Sequence, residues 1–549
     1  TEPGMSTSPT SLAQQRPPCC TEGCAALLRR ILGRRSTRAS CHSHVSRSIA
    51  SCSTLESSPR GDGGTTPKVD LASLLLAPDP LRSLGTNYES MRQLGEGAFG
   101  SVFSAKHVLT SEERAIKQIP KSDIQDDMKF VHTELEAMLK LDHPNIIKFY
   151  EFFEDDRMLY MVTEICSDGD FSDLGNSIND PQEIRLLFRD MMMGVAYCHD
   201  LGIAHRDLKF ENCLVSKMGQ VRRVAKIIDF GLAAIRQPGD KVGQWLNDQL
   251  GTRYFVAPEV IDDRTRYGVL CDLWSAGVMI YIVLTDEHPF AVDAMSLDTV
   301  PLFRKILNGR LRTEPMDYAN IDKSARDLVT KMLVKKPEGR ITAQKALSHP
   351  WLSLLEKVGG VQQVGDLGNG KAIISRIKSF ASHSRFERAV LTLVAHGTTS
   401  KEVDDLRETF HKLDTSRTGS LSKDEIRVGL KQCSQKITEV ELDQLFIALD
   451  ANETGRIMYT EWLAATLKPS MVASDSAVKQ LYNFFDLEKN GKVTRGELLR
   501  VLGDEASVNE VLARGDVAGD DCLSESEFKA LIHSIAESIE KRHGRTSTA

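Results

Sequence analysis

No apolar run in these 549 residues approaches 18 in length, so no helix of the chain is expected to span a bilayer. A disulfide framework is missing as well. Of eleven cysteines, Cys19, Cys20, Cys24, Cys41 and Cys52 crowd near the start and the other six stand singly, a usage of cytosolic type. The first 60 residues hold no lysine, three glutamates and eight arginines, and they are rich in serine. Such a stretch has no core to build, and residues 1–87 are expected to form a disordered extension. Two readings of it stay open. Cysteines beside Arg29, Arg30, Arg34 and Arg35 suit palmitoylation and peripheral attachment to an anionic membrane. An Arg- and Ser-rich, acid-poor leader suits an organelle transit peptide. Apart from that choice, the expected location is cytoplasmic. Net charge is −7, and no nucleic-acid partner is expected.

Phosphoryl transfer asks a protein mainly for positioning and for neutralising charge. The run His205-Arg206-Asp207-Leu208-Lys209-Phe210-Glu211-Asn212, followed by Asp229-Phe230-Gly231, supplies those parts in order. Asp207 can accept a hydroxyl proton, Lys209 brings positive charge beside it, and Asn212 and Asp229 can hold magnesium. Upstream, Gly95-Glu96-Gly97-Ala98-Phe99-Gly100-Ser101-Val102 matches G-x-G-x-x-G-x-V. Its flanks alternate as strands with no helix after the third glycine, which points to a hairpin over phosphates and away from a dinucleotide fold. Lys117 of Ala115-Ile116-Lys117 then grips the α- and β-phosphates and needs an anionic partner. Glu134 is the choice; Glu136 reads as a solvated helix residue. Downstream, Glu259 of Ala257-Pro258-Glu259 needs a buried cation, and Arg340 is the candidate.

Residues 88–352 thereby resemble a eukaryotic protein kinase domain, of the Ser/Thr type because Lys209 follows Asp207 by two. The resemblance implies an α+β bilobal fold and an ATP site. That site takes in Leu94, Gly95, Glu96, Gly97, Ala98, Gly100, Val102, Ala115, Lys117 and Glu134. Thr163 would guard the back of the adenine pocket and Glu164 would open the hinge. Asp170 and Glu211 fall where basophilic kinases bind an arginine upstream of the phosphoacceptor. Protein substrates with Arg or Lys about three residues before the target are therefore expected, although Asp170 serves equally well as a ribose ligand. Between Gly231 and Thr252 there is no Ser, Thr or Tyr. Arg206 needs an anion to order that segment, and Asp248 is expected to supply it permanently. Inhibition must then come from elsewhere.

The C-terminal part repeats. Asp414, Asp450 and Asp486 open evenly spaced twelve-residue loops of the kind that offers a hard cation oxygens at positions one, three, five, seven and twelve around a glycine at six. The first loop supplies Asp414, Ser416, Thr418, the Ser420 carbonyl and Glu425. The second supplies Asp450, Asn452, Thr454, the Arg456 carbonyl and Glu461, and the third Asp486, Glu488, Asn490, the Lys492 carbonyl and Glu497. Three carboxylates against two in each of the others make the third loop the first expected to fill, in a range of roughly 10⁻⁷ to 10⁻⁵ M. A fourth copy, from Asp516, has Ala518 at position three and Asp521 at position six. It is expected to have lost calcium or to bind it weakly, and to serve by pairing with the third.

Lys371 to Ala395 reads as one basic amphipathic helix, the usual prey of such lobes. It follows hinge glycines Gly359, Gly360, Gly365, Gly368 and Gly370. Arg376-Ile377-Lys378-Ser379 imitates the basic substrate pattern, so Ser379 is a pseudosubstrate or an autophosphorylation site. The order of parts resembles the calcium-dependent protein kinases of plants and protists. That resemblance implies a bilobal kinase followed by an all-α calmodulin-like domain of two EF-hand pairs, using ATP, Mg²⁺ and Ca²⁺. The boundaries are 88–352 for the kinase, 353–400 for the linker and autoinhibitory junction, then 401–436, 437–472, 473–508 and 509–538 for the EF-hands. The family implies that the junction blocks the cleft until the EF-hand lobes, on binding calcium, draw it away. Members often begin Met-Gly for myristoylation, which neither Thr1 nor Met5-Ser6 offers. A calcium-dependent scaffold with a catalytically silent kinase fold is the alternative.

Overall fold

The computed structural model describes residues 84–546 except 98–99, 125–127, 175–177, 179, 219–221, 263, 291–298, 319–320, 354–369, 399–402, 433–436 and 452–453. The readings made for residues 1–83, for Gly359 to Gly368, and for Ala98 and Asn452 lie outside the described residues.

Alternating apolar residues build a five-stranded antiparallel sheet from β1 (Tyr88–Gly97), β2 (Gly100–His107), β3 (Glu113–Pro120), β4 (Phe149–Glu154) and β5 (Met158–Glu164). The order is β1-β2-β3-β5-β4. Register places Val102 opposite Lys117 and Ala115 opposite Thr163, so the glycine hairpin, the lysine and the hinge lie side by side. Gly100 is required there, because a Cβ would come within 1.9 Å of the Gln118 carbonyl oxygen. Helix α1 (Met128–Lys140) buries Val131, Glu134, Ala137 and Met138 at helical spacing, which turns one glutamate of its two inward.

The second lobe is helical. α2 (Pro181–Asp200) starts behind an Asp180 cap with proline at its first position, a favourable helix entry. α3 (Cys271–Thr285) is buried without interruption from Cys271 to Ile282, as befits a helix apolar all round at the centre of a core. The hairpin of β6 (Cys213–Met218) and β7 (Arg222–Ile227) carries the catalytic loop before it and Asp229 after it.

Past residue 370 the sequence reading of one junction helix needs correction. There are two, α4 (Gly370–Phe380) and α5 (Arg385–Gly397). The break has a local cause: Ser384 and Glu387 cap one another's backbone reciprocally and restart the helix. Of the described helices that follow, eight flank the four loops. They are α6 (Asp404–Leu413), α7 (Lys423–Gln432), α8 (Glu439–Leu449), α9 (Tyr459–Thr466), α10 (Asp475–Phe485), α11 (Arg495–Leu502), α12 (Glu505–Gly515) and α13 (Glu525–Thr546). Loops pair within each lobe. Leu421 and Ile457 exchange backbone hydrogen bonds of 2.8 and 2.9 Å, and β8 (Lys492–Thr494) pairs with β9 (Cys522–Ser524). The fourth loop keeps its turn because Asp521 adopts a left-handed φ of 60° where the others use glycine; aspartate is among the few residues that tolerate it. Ile373, Ile377 and Phe380 of α4 and Phe386, Val390 and Val394 of α5 are buried in one core with the EF-hand helices.

Candidate active site and ion-binding loops

Lys117 Nζ lies 2.7 Å from both carboxylate oxygens of Glu134 and 3.8 Å from Asp229 Oδ1. Glu136 instead pairs with Lys140 on the exposed face of α1, so burial decides between the two glutamates. Burial works against the lysine's charge, yet Glu134 and Asp229 hold its pKa above the ordinary value. Burial pulls Asp229 upward too, and Lys117, His205 and Lys209 bring it below the usual carboxylate range. Asp229 therefore stays ionised, as a magnesium ligand must. Its φ of 62° lies in the left-handed region, which few residues other than glycine adopt.

Asp207 is fixed from three directions. Lys209 Nζ donates to Oδ2 at 2.6 Å, and the Thr252 amide and hydroxyl donate to Oδ1 at 2.9 and 2.6 Å. Asn212 Nδ2 donates to the Asp207 carbonyl at 2.9 Å, which leaves the amide oxygen of Asn212 as the atom able to face a metal. Behind them Asp272 accepts from the His205 and Arg206 backbone at 2.9 and 2.8 Å and pins the loop to α3. Neither Thr252 nor Asp272 had been assigned such a role from sequence. The signal was present in Gly251-Thr252 and in Asp272-Leu273-Trp274, but a hydrogen-bond partner dozens of residues away has no sequence mark.

Arg206 Nη1 lies 3.5 Å from Asp248 Oδ2, the pair expected from the phosphorylatable residues missing between Gly231 and Thr252. Its Nε also donates to the Leu232 carbonyl at 2.6 Å. Arg340 makes two hydrogen bonds, 2.6 and 2.9 Å, to the buried Glu259. Thr163 and Glu164, expected at the adenine, end β5, and Glu164 accepts from Lys226 Nζ at 2.6 Å. Leu94 and Val102 come from β1 and β2, and Gly95 stands opposite Val102. Asp170 accepts from the Ser172 amide at 2.7 Å. Burial raises the pKa of Glu211, and Asp170 nearby adds to the rise; Glu211 Oε2 is buried with no hydrogen-bond partner among the described residues.

The twelve-residue loops are formed. Asp414 accepts from the Thr418 and Gly419 amides at 3.0 and 2.7 Å, Asp450 from Thr454 and Gly455 at 2.9 and 2.8 Å, and Asp486 from Asn490 and Gly491 at 3.1 and 3.0 Å. Each closing glutamate bridges the loop. Glu425, Glu461 and Glu497 accept backbone amides from both ends at 2.7–2.8 Å.

A protein kinase domain family matches residues 88–352, and an EF-hand domain pair matches 403–467. Calcium-dependent protein kinase 21 of Arabidopsis thaliana is 32% identical over 473 residues, 83% of this chain and 86% of that protein. The chain belongs to the calcium-dependent protein kinases. Calcium-dependent protein kinase 29 of the same plant is 32% identical over 463 residues, 82% of this chain and 83% of its own length. Calcium-dependent protein kinase 2 of Zea mays is 30% identical over 466 residues, 82% and 88% respectively.

ATP and Mg²⁺ belong to the cleft of this kinase and Ca²⁺ to its loops. The cleft fits its cofactors: Asp229 stands 3.8 Å from Lys117, and Asn212 is hydrogen-bonded to the Asp207 carbonyl. The junction is held elsewhere. Ser379 is buried on α4, its hydroxyl donating to the Arg376 carbonyl at 2.9 Å, while Arg376 donates to the Thr466 carbonyl at 2.6 Å. The Arg-Ile-Lys-Ser stretch therefore packs among EF-hand helices and not against Asp207.

The EF-hand region also docks on the kinase, which sequence reading missed. Lys148 Nζ caps the end of α5, donating to the Ala395 and Thr398 carbonyls at 3.0 and 2.9 Å. Asp142 accepts from the Thr460 amide and hydroxyl at 2.7 and 2.9 Å, at the start of α9. A cation at a helix C-terminus and an anion at an N-terminus both complement the helix dipole. Lys148 in turn gives its own amide to Glu164 at 2.8 Å, so the junction's end is one residue away from the hinge.

Proposed function

We propose that this kinase transfers the ATP γ-phosphate to Ser or Thr of proteins carrying a basic residue upstream, and does so when calcium binds its own EF-hands. Magnesium supplies charge neutralisation on the phosphates when bound. The chain's own residues do the rest. Lys117, locked by Glu134, orients the α- and β-phosphates, and Asp207 takes the hydroxyl proton of the substrate. Lys209, 2.6 Å from Asp207, stands where negative charge grows on the transferring group. Asp170 and the unpartnered Glu211 oxygen favour an arginine of the substrate, because a buried carboxylate oxygen left without a donor is costly.

One observation carries the calcium control: the apolar faces of α4 and α5 are buried in the EF-hand core. A junction held there is not in the cleft, and its release from the lobes would return Ser379 to competition with substrate. Peripheral membrane attachment through the N-terminal cysteines belongs to the same reading, with vesicle sedimentation as its test. The decisive assay is radiometric transfer to a basic peptide, with calcium and with EGTA. Strong transfer in calcium and little in EGTA is expected; equal rates would remove the switch.

A further inference from the structure

In each EF-hand lobe, a basic side chain from one loop already occupies ligand oxygens of the other. Arg456 is the seventh residue of the second loop. Its guanidinium donates to Thr418 Oγ1 and Ser420 Oγ, and Nη2 lies 3.1 Å from the Ser420 carbonyl oxygen. These atoms include the fifth- and seventh-position oxygens of the first loop. Lys492, the seventh residue of the third loop, makes one such contact in the other lobe, with Nζ 2.7 Å from Asp520 Oδ2, the fifth-position oxygen of the fourth loop. Cys522 Sγ, 3.0 Å away, holds the other Asp520 oxygen. A seventh-position residue gives calcium only its backbone carbonyl, so its side chain can cross the pair without harm to its own loop.

We propose that Arg456 and Lys492 are tethered cations that fill the first and fourth loops, leaving calcium to the second and third, one ion per lobe. The first loop brings only two carboxylates, Asp414 and Glu425, and a guanidinium that never loses its charge lies against two of its remaining oxygens. A divalent ion must displace it and then sit beside it. The loop is also fixed from outside. Arg417 Nη1 donates to the Leu347 carbonyl at 2.6 Å, and Gln344 Nε2 donates to the Arg417 carbonyl at 3.3 Å. At Gly419 a Cβ would come within 2.0 Å of His143. A loop that grips the kinase this tightly gains from being filled at every calcium level.

The inference rests on the calcium reading of the second and third loops. Its test counts ions bound to the full chain by native mass spectrometry in calcium, apart from any activity. Two ions are expected for the natural chain, and still two for Glu425→Gln. Arg456→Ala should bind three, and the double variant Arg456→Ala/Glu425→Gln two again. In the other lobe, Ala518→Asp alone should add no ion, and together with Lys492→Ala one. Three ions in the natural chain, falling to two with Glu425→Gln, overturn the proposal, as does a folded Arg456→Ala that stays at two. Should Arg456→Ala fail to fold, Glu425→Gln decides alone. Two ions without calcium-stimulated transfer would sink the proposed activity and leave this inference standing; no ion at all would sink the calcium reading with it.

Discussion

At the scale of single residues, burial separates groups that look alike in sequence. Glu134 and Glu136 differ by two positions, yet only the first turns inward to Lys117. A hydrogen bond to a charged group is worth about 1.5–3 kcal/mol, so Glu134→Gln is expected to lower kcat/KM by about 10- to 100-fold in steady-state assays. Asp248 is another matter. Its side chain is 63% exposed, and exposed ion pairs contribute about 0–1 kcal/mol. Asp248→Ala should therefore cost no more than about fivefold in kcat/KM, and unchanged kinetics would remove its role as a built-in substitute for phosphate. The Asp248 variant thus tests whether the activation segment leans on Arg206's anion or on its 2.6 Å bond to the Leu232 carbonyl.

At the scale of elements, the helical period of the junction was plain in sequence but its interruption was not. The apolar residues stop at Ala381, the polar Ser382, His383 and Ser384 follow, and the reciprocal Ser384–Glu387 cap shows why α5 starts afresh. Glu387 is then reached by Arg542 at 3.2 Å and by Arg514 at 3.4 Å, tying the junction to α12 and α13. Ser384→Ala is expected to lower stability by about 1 kcal/mol, read from denaturant unfolding of the full chain. The twelve-residue loops were legible in detail because each keeps its ligands local. The fourth loop showed the opposite limit: sequence flagged Asp521 as a fault at the turn, while the backbone absorbs it at a φ of 60°.

At the scale of the whole molecule, two histidines stand at the seam between kinase and EF-hands, His143 buried and His396 half-buried. His143 packs against Gly419, and His396 Nε2 lies 3.2 Å from the Tyr150 carbonyl oxygen. Burial drives both pKa values down to about 3, with Lys226 adding to the effect at His143 and Lys148 and Arg114 at His396. Below the ordinary value of about 6.5, the docked form binds fewer protons than the undocked one. The two histidines' contribution to docking is then complete above pH 6.5 and is lost as pH falls, by at most about 1.4 kcal/mol per pH unit per histidine, while Asp142, whose pKa burial raises, works in the opposite sense. Small-angle scattering should show expansion between pH 6.5 and 5, with a shallower pH dependence for His396→Gln. The proposed calcium control would reach the same seam, since Thr460, held by Asp142, adjoins Glu461 of the second loop. Shifting a population from 1:99 to 99:1 needs about 10⁴-fold preference, or ~100-fold for each of two ions. A calcium activation curve with a Hill coefficient no higher than about two is the expected result.

The sequence by itself determined the chemistry: which carboxylates, lysines and glycines exist, and the local spacing that makes a phosphate hairpin, a catalytic loop and twelve-residue ion loops. Those depend on neighbours within a few residues, so order alone carries them. The tertiary structure decided which of these groups meet across long distances. It set Arg456 on Thr418, Lys148 on the end of α5 and Asp142 on the start of α9, because only packing can bring a charge to a helix end or an ion loop far away in the chain.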